Sequence, residues 1–383
     1  MNIALFASAY SPSIGGVEEL CRQLALEYQR RRWGVCVLTN RWPRYLASEE
    51  LLEGIKVFRL PFRTPDAGWK SKITYLLSSR LALKRTIQIL KAEGVDLVHV
   101  QCVGCNGHYA TLAASALRLP LLVTLQGEFS MDATQLFQRS AFARKTLSRA
   151  LGVSRGVTAC SRQTLSEVEN FHSEKLSGKS SVIHNGIRTS DFANAVPFPH
   201  PRPYVLGLGR MVRQKGFDVL IRAMELLWKQ KGWEGDLILA GDGPERGLLE
   251  DLVNQLGLNS KVIFTGPADR TRAAALFKGC ELFVMPSRHE PFGIVCLEAM
   301  ASNRPVVASS VGGVPEFVAH GESGWLVPPE DPRALCDGIS RVLEDESLRL
   351  QIERGGLLQA QLHDWTLVVN QYEQVYKELL SAA

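Results

Sequence analysis

Two glutamates, Glu290 and Glu298, frame a short segment whose residue types suit a hydroxyl-rich anion. The segment S-R-H-E-P-F-G-I-V-C-L-E-A-M follows an apolar run that predicts a strand. Its proline suits the first position of a helix, and Gly293 lets a ligand approach the backbone. The free N–H groups of 292–295 would form an anion site, and the carboxylates would accept hydrogen bonds from hydroxyls. Alone, such a pair is more often a helix-terminal charge and a solvated side chain, but the strand and the Pro-Phe-Gly turn favour a ligand site.

A second segment places two cations directly after a predicted strand. In V-L-G-L-G-R-M-V-R-Q-K-G the strand ends at the glycines, and Arg210 and Lys215 precede a predicted helix. Arginine offers a planar fork of donors and lysine a point charge, which together suit a diphosphate. The third glycine of a dinucleotide fingerprint would fall at Val212, so a Rossmann cofactor site is not expected. The alternative is two exposed cations in a loop.

A third segment, S-P-S-I-G-G-V-E-E-L, follows the first predicted strand. Gly15 and Gly16 would let a ligand approach the backbone where a helix begins. The alternative is a plain tight turn.

All three segments depend on strands that alternate with helices along the chain. This alternation predicts parallel sheets with helices on both faces, and ligands beyond the carboxyl ends of the strands. The proline-rich segment 191–203 predicts a linker between a first domain, 1–190, and a second domain, 204–364. The pattern of residues 365–383 predicts a long amphipathic helix whose apolar stripe packs against another part of the protein.

The composition is that of a globular enzyme. The 383 residues are 45% hydrophobic and 22% charged, which excludes fibrous and mostly disordered classes. We find no apolar run of transmembrane length, and MNIALFASAYSP lacks the basic region of a signal peptide. The eight cysteines are scattered, which suits a reducing compartment, so we expect a cytoplasmic protein.

The charge is unevenly distributed. Residues 1–190 hold 25 Lys/Arg and 14 Asp/Glu, whereas 191–383 hold 19 and 25. The acid-free stretches 67–92 and 133–166 carry six bases each. They predict either a positive surface that meets anionic lipid or a phosphate-bearing acceptor, or solvated helix faces with a core-facing stripe. No recognition motif accompanies the charge, so we expect no nucleic-acid partner.

The order of the motifs resembles the retaining GT-B-fold glycosyltransferases of family 4 over nearly the whole chain. The motifs that carry this resemblance are the Gly-Gly loop, H-N-G-I at 184–187, G-R-x-x-x-x-K-G at 209–216, A-G-D-G-P-E at 240–245, the E-x7-E segment, and G-G-V-P-E at 312–316. The resemblance implies an α/β protein with two facing Rossmann-like doubly wound domains and an interdomain cleft. It also implies that helix 365–383 packs back on the first domain.

The resemblance further assigns roles to residues of this chain. Arg210 and Lys215 would grip the donor diphosphate, Glu290 would bind hydroxyls of the donor sugar, and Glu298 those of the ribose. The acceptor would enter from the first domain. The other donor-binding positions implied are Gly15, Gly16, Gly209, Gly266, Phe292, Gly293, Ile294 and Val295.

One position departs from the family pattern. After the strand P-L-L-V-T-L the family has His-Gly, whereas this chain has Gln126. An amide donates hydrogen bonds but is no base at neutral pH, so Gln126 is expected to position the sugar. Glu128 is an alternative acidic participant on the acceptor side, or a solvated loop residue. His99 also matches a family position, although a strand-end histidine is more often structural.

Metal and redox sites are not expected. Cys102 and Cys105 form a single C-x-x-C without a second pair, and no D-x-D occurs in the chain. Arg210, Lys215 and a helix N-terminus would take the place of a metal at the diphosphate. We therefore expect no cofactor.

The leading hypothesis is retaining transfer of a hexose from a nucleotide sugar, UDP-glucose first, to a hydroxyl acceptor. The acceptor would be a carbohydrate or a lipid-linked molecule in polysaccharide or glycolipid assembly, at the inner face of a membrane. Two alternatives stay open: a nucleotide-sugar epimerase, and a non-catalytic nucleotide-sugar-binding partner of another enzyme.

Overall fold

The computed structural model describes residues 1–13, 15–65, 69–129, 136–172, 176 and 178–381. The chain divides into two compact units, Met1–Asn185 with Trp365–Ala383, and Gly186–Asp364. The first residues of both acid-free stretches, 67–68 and 133–135, and the last two residues of the predicted helix 365–383 lie outside the described part.

The first unit is built on an eight-stranded sheet in the order β3-β4-β2-β1-β5-β6-β7-β8. All neighbours are parallel except β3 and β4. Both faces of the sheet are covered, which is why its central strands are apolar runs without alternation. The strands are β1 (Asn2–Ala7), β2 (Gly34–Asn40), β3 (Glu49–Leu52), β4 (Ile55–Leu60), β5 (Leu97–Gln101), β6 (Leu121–Leu125), β7 (Gly156–Ala159) and β8 (Ser180–Val182).

In the described part of the first unit, six helices connect these strands. Serine side chains cap two of them, because the hydroxyls of Ser140 and Ser161 accept the N–H groups of Ala143 and Thr164. The helices are α1 (Gly16–Arg30), α2 (Trp69–Ala92), α3 (Cys105–Leu117), α4 (Leu136–Arg139), α5 (Ala141–Val153) and α6 (Arg162–Phe171).

The second unit contains a six-stranded parallel sheet in the order β11-β10-β9-β12-β13-β14. Its strands are β9 (Tyr204–Leu208), β10 (Asp236–Ala240), β11 (Val262–Gly266), β12 (Leu282–Met285), β13 (Val306–Ser309) and β14 (Trp325–Val327). Its helices are α7 (Ser190–Ala193), α8 (Phe217–Lys231), α9 (Arg246–Gln255), α10 (Arg270–Gly279), α11 (Ile294–Ala301), α12 (Pro332–Glu344) and α13 (Glu346–Leu362).

The last helix, α14 (Trp365–Ser381), packs on α1 and so belongs to the first unit. Its buried stripe includes Trp365, Val369, Tyr372 and Tyr376. The Tyr376 hydroxyl lies 2.6 Å from Nδ1 of His99, deep in the unit.

The division between the units differs from the predicted one. The first unit ends at Asn185, and segment 191–203, predicted as a linker, belongs to the second unit. Helix α7 occupies the start of that segment, and the Asp364 carboxylate accepts hydrogen bonds from the N–H and hydroxyl of Thr189 just before it. No helix in the described residues is long and apolar enough to cross a membrane.

Candidate functional site

The carboxyl ends of β9 and β12, which are neighbours in the second sheet, bring together the two strongest motifs. Nζ of Lys215 lies 2.5 Å from Oε2 of Glu290. The Ser287 hydroxyl donates to the same oxygen at 3.3 Å. The Lys215 and Glu290 side chains are 16% and 8% exposed, so the pair is largely withdrawn from water but still reachable. The cation predicted to bind phosphate and the carboxylate predicted to bind hydroxyls therefore share one location.

The loops that carry this pair are fixed to each other through their backbones. The N–H of Arg288 donates to the carbonyl oxygen of Gln214 at 2.7 Å. Gly216 has a φ of 66°, and a Cβ there would overlap the carbonyl of Pro286. Only glycine fits such a close approach, so the loop of Lys215 is held in register with the loop of Glu290.

Arg288 was not singled out in the sequence, yet it fixes the same two loops. Its guanidinium makes two hydrogen bonds to the carboxylate of Asp218, at 2.7 and 2.8 Å. A third bond, from Nε, reaches Glu330 at 2.8 Å. The hydrogen bonds to Asp218 raise the pKa of Arg288. Burial would raise the pKa of Asp218, but the Arg288 guanidinium helps to lower it below its ordinary value. Arg288 is therefore a positioning residue whose three carboxylate bonds the motif spacing does not reveal.

Helix α11 begins later than expected. Its first residue is Ile294, and its N-cap is Gly293, which has a φ of 99°. Pro291, which the sequence predicts at the first helical position, lies three residues before Ile294. The ring of Phe292 is buried, and its centroid lies 4.9 Å from that of the Phe317 ring. This contact fixes the turn before the helix. The first-turn N–H groups, including those of Ile294 and Val295, lack partners within a helix by geometry and can meet an anion.

Glu298 lies inside α11 with its side chain 15% exposed, rather than fully solvated. Its Oε1 is 3.9 Å from Nη1 of Arg270. Arg270 in turn donates from Nε to Asp191 at 2.6 Å and stacks on the ring of Phe192 at 4.9 Å. The ribose contact expected of Glu298 would therefore form beside a fixed guanidinium.

Glycines at three neighbouring strand ends of the second sheet contact one another. Gly209, after β9, has a φ of 153°, and a Cβ at Gly241, after β10, would overlap its carbonyl oxygen. The N–H of Gly241 donates to Gly266, at the end of β11, at 2.8 Å. Arg210, directly after Gly209, is exposed. The carboxyl-terminal ends of the strands of the second sheet therefore bring together five predicted site residues: Gly209, Arg210, Lys215, Gly266 and Glu290.

In the first unit, the Gly-Gly loop leads into α1 as predicted. Gly15 is the cap and Gly16 the first helical residue, and a Cβ at Gly16 would meet nothing within 4 Å. The guanidinium of Arg59, 1% exposed, donates to the carbonyl of Ser11 at 2.5 Å and pairs with Glu50. Arg59 is a second positioning residue that the motifs did not indicate.

Gln126 is buried, and its amide is engaged within the first unit. Its Nε2 donates to Oε1 of Gln101 at 3.1 Å and to Oδ1 of Asn185 at 3.0 Å. Its Oε1 accepts from Nδ2 of Asn185 at 2.9 Å. Both amide hydrogens are thus committed to neighbouring side chains, so a sugar hydroxyl would have to displace one of them.

Glu128 is not a solvated loop residue, and that interpretation is wrong. Its side chain is buried, and its oxygens accept the N–H groups of Val103 and Gln126, each at 3.0 Å. Burial raises the pKa of Glu128, and the N–H donors oppose this. The carboxylate therefore joins the loops that follow β5 and β6.

His99, placed on the acceptor side by the resemblance, is a structural residue. It is fully buried, with Nδ1 2.6 Å from the hydroxyl of Tyr376 and Nε2 2.6 Å from that of Thr124. Burial lowers the pKa of His99 to about 3, so the ring is neutral at physiological pH. Both ring nitrogens are therefore engaged within the unit, and neither is left to contact an acceptor substrate.

The two cysteines of the C-x-x-C pair lie in surroundings that disfavour ionisation. Cys102 and Cys105 are free thiols, and burial raises the pKa of each, which disfavours the reactive thiolate. Among the described residues, no group of three or more His, Cys, Asp or Glu side chains is arranged to hold a metal ion.

Two family models match adjoining parts of the chain. The model described as Glycosyltransferase Family 4 matches residues 14–191, and the one described as Glycosyl transferases group 1 matches residues 189–357. The boundary between the matches falls close to the division between the two units.

Similar proteins match over the full length of the chain. An uncharacterised glycosyltransferase of Methanocaldococcus jannaschii is 28% identical, with 98% of both chains covered. The sucrose-phosphate synthase structure from Thermosynechococcus elongatus has a TM-score of 0.80 at 26% identity, with 100% of both chains covered. The structure of Anabaena HepE in complex with UDP-glucose has a TM-score of 0.76 at 23% identity, again with both chains fully covered.

Proposed function

The chain belongs to the glycosyl transferases group 1 family, and we propose that it moves a hexose from a nucleotide sugar to a hydroxyl acceptor with retention of anomeric configuration. Its fold is GT-B, with two Rossmann-like α/β units, and its activity is that of a glycosyltransferase. The observation that carries the finer proposal is the contact of Lys215 with Glu290 beside the start of α11.

In the proposed reaction, the donor diphosphate is held by Arg210, Lys215 and the first-turn N–H groups of α11. Negative charge grows on the diphosphate as the bond to the anomeric carbon breaks, and fixed cations stabilise this charge most where water is excluded. Glu290 accepts hydrogen bonds from sugar hydroxyls, and Glu298 from the ribose. These assignments are those that the resemblance implies, and the contact between Lys215 and Glu290 supports them.

The retaining step is proposed to occur on one face of the sugar. Glu290 is proposed to accept hydrogen bonds from the sugar hydroxyls and not to attack the anomeric carbon. The acceptor oxygen then bonds to the anomeric carbon as the diphosphate oxygen departs, and the departing diphosphate takes the acceptor proton. Positioning and charge stabilisation supply the rate.

We propose that no metal is required, because Arg210 and Lys215 supply positive charge at the diphosphate. UDP-glucose is the first donor to test, since HepE, of the same fold, has been solved with it. The acceptor is proposed to be a carbohydrate or lipid-linked hydroxyl in polysaccharide or glycolipid assembly. The excess of Lys and Arg over Asp and Glu in residues 1–190 supports an acceptor that carries phosphate or is linked to a lipid.

The proposal is tested by incubating the full chain with a panel of nucleotide sugars, with and without acceptor alcohols, in the presence of EDTA. We expect UDP release that rises with acceptor and a product whose anomeric proton, followed by NMR, keeps the donor configuration. Conversion of the donor to an epimer without acceptor would establish the epimerase alternative. Binding of UDP without turnover across the panel would establish a non-catalytic partner. A requirement for added Mg²⁺ would contradict the metal-free mechanism alone.

A further inference from the structure

Four successive helices of the first unit contain no acidic residue. Helices α2, α3, α4 and α5 hold no Asp or Glu in their sequences. They pack in order, α2 on α3, α3 on α5, and α4 on α5. Helix α1 runs from β1 towards the opposite edge of the sheet, so right-handed crossovers put it, with α14 packed on it, on the other face. The acid-free helices thus lie side by side on one face of the sheet, where they are followed by α6, which carries Glu167 and Glu169.

Helix α2 exposes an apolar stripe on this surface. Ile73, Leu77 and Leu81 are 46%, 77% and 71% exposed. They are spaced four residues apart, so they lie along one side of the helix. The opposite side of α2 is well packed, with Ala82, Ile89 and Leu90 in the core of the unit. Three large apolar side chains in a row are more than the scattered single residues of an ordinary surface.

Cations continue and flank the stripe. At 100° per residue, Lys84 falls between Ile73 and Leu77 in projection, and Arg80 lies beside them. Both are exposed, and no ion pair joins either to a described carboxylate. Arg85, on the other flank, has only a 3.9 Å contact with Glu49.

An aromatic cluster joins α2 to α3 and α5. The Tyr75 hydroxyl on α2 lies 2.9 Å from Nε2 of His108 on α3, and its ring packs edge-on against Phe142 on α5 at 5.6 Å. Lys145 and Arg149, later on α5, are exposed. Helix α2 therefore cannot turn its stripe inwards without breaking an aromatic cluster.

We propose that this α2 surface docks the first unit on an anionic lipid bilayer, with Ile73, Leu77 and Leu81 entering the interface and Arg80, Lys84, Lys145 and Arg149 facing the headgroups. An interfacial helix needs both an apolar side and cations, and α2 offers both on one side. A soluble polyanion would use the cations and leave the leucines in water. A second copy of the chain would bring the same positive surface against itself. The inference stands independently of the donor and the acceptor.

The test is flotation of the full chain with phosphatidylcholine vesicles, and with vesicles that also contain phosphatidylglycerol. We expect binding to the anionic vesicles, weakened at high salt because screening shortens the reach of the charges. Leu77→Glu with Leu81→Glu should lower the partition coefficient by at least about tenfold, and Arg80→Glu with Lys84→Glu by a similar factor. The matched control is Leu248→Glu with Leu358→Glu, two leucines of the second unit that are 62% and 61% exposed.

Three outcomes would overturn the docking proposal. The first is binding to anionic vesicles that the leucine variant leaves intact while soluble heparin abolishes it, which would indicate a polyanion site. The second is a wild-type dimer in sedimentation velocity that the leucine variant converts to a monomer. The third is equal binding by wild type and both α2 variants, with circular dichroism showing that all are folded.

Discussion

The ammonium of Lys215 and the carboxylate of Glu290 lie in contact, 2.5 Å apart, although 75 residues separate them in the chain. Each is assigned to a different part of the donor, the lysine to the diphosphate and the glutamate to the sugar. On the proposed roles, a bound donor would separate the two charges of this ion pair. The contribution of either residue therefore depends on the other.

Replacement of Lys215 tests the phosphate role. We expect Lys215→Ala to lower turnover by on the order of 100-fold, as for a lost partner of transition-state charge. The matched control is Lys229→Ala, which removes a lysine from the surface of α8 where it pairs with Glu225 at 2.7 Å. Turnover is measured by UDP release at saturating donor. Full activity of Lys215→Ala would refute the assignment.

Coupling between Lys215 and Glu290 is tested by the double variant. Removal of one member of a largely buried pair leaves the other charge without its partner, so the single changes overlap. We expect the loss of unfolding free energy in Lys215→Met with Glu290→Gln to be smaller than the sum of the single losses, by about 1 kcal/mol or more. Urea unfolding of the four proteins measures it. Strict additivity would show that the contact carries no energy.

Gly216 holds the loop of Lys215 against the loop of Glu290. Gly216→Ala would place a Cβ in the carbonyl of Pro286, in addition to the usual cost of about 1–2 kcal/mol for a left-handed conformation. Gly232→Ala is the matched control, because Gly232 has a similar φ of 69° and open space around its Cα. We expect thermal unfolding to show a larger loss for Gly216→Ala, and donor turnover to fall in that variant alone. Equal losses of thermal stability in the two variants would contradict this, because the overlap of the new Cβ with the Pro286 carbonyl would then cost nothing.

Acid should destabilise the first unit through His99. Burial lowers its pKa from 6.5 to about 3, so between these values the unfolded chain binds a proton that the folded chain does not. Stability is therefore complete above the unfolded pKa and falls as the pH drops from about 6.5 towards 3, by up to about 1.4 kcal/mol per pH unit. His108, whose pKa burial lowers to about 4, acts in the same direction. We expect His99→Gln to have a shallower slope in urea unfolding from pH 7 to 4.5; an unchanged slope would contradict the neutral, buried ring.

Much of the fold is predictable from pattern, because strands buried on both faces are apolar runs whatever their order in the sheet. Elements with a weak pattern are harder to predict. Strand β3 has the alternating exposure of a sheet edge and pairs antiparallel with β4, and β14 has only three residues. Helices α12 and α13 follow one another with Asp345 as the only residue between them, so their two stripes blur into one charged segment. The start of α11 was placed too early because proline favours a helix start but does not require one, and Gly293 turns the chain first.

The candidate site was predictable as far as it rests on motifs at strand ends. Topology alone brings Lys215 and Glu290 to one sheet edge, because β9 and β12 are neighbours. The supporting residues could not be foreseen: Arg59 and Arg288 act through side chains whose partners lie far away in the chain. Glu128 looks like a loop carboxylate in the sequence, and only burial with two N–H donors shows that it fastens the loop.

The most direct test of the central claim is calorimetric binding of UDP and of uridine to the wild type, to Arg210→Ala with Lys215→Ala, and to the control Lys229→Ala. The account predicts that wild type and control bind UDP far more tightly than uridine, because the second unit recognises the diphosphate. It predicts that the double variant loses this preference by at least about tenfold while binding uridine unchanged. An undiminished preference for UDP in the double variant would contradict the account, since the diphosphate would then be held elsewhere.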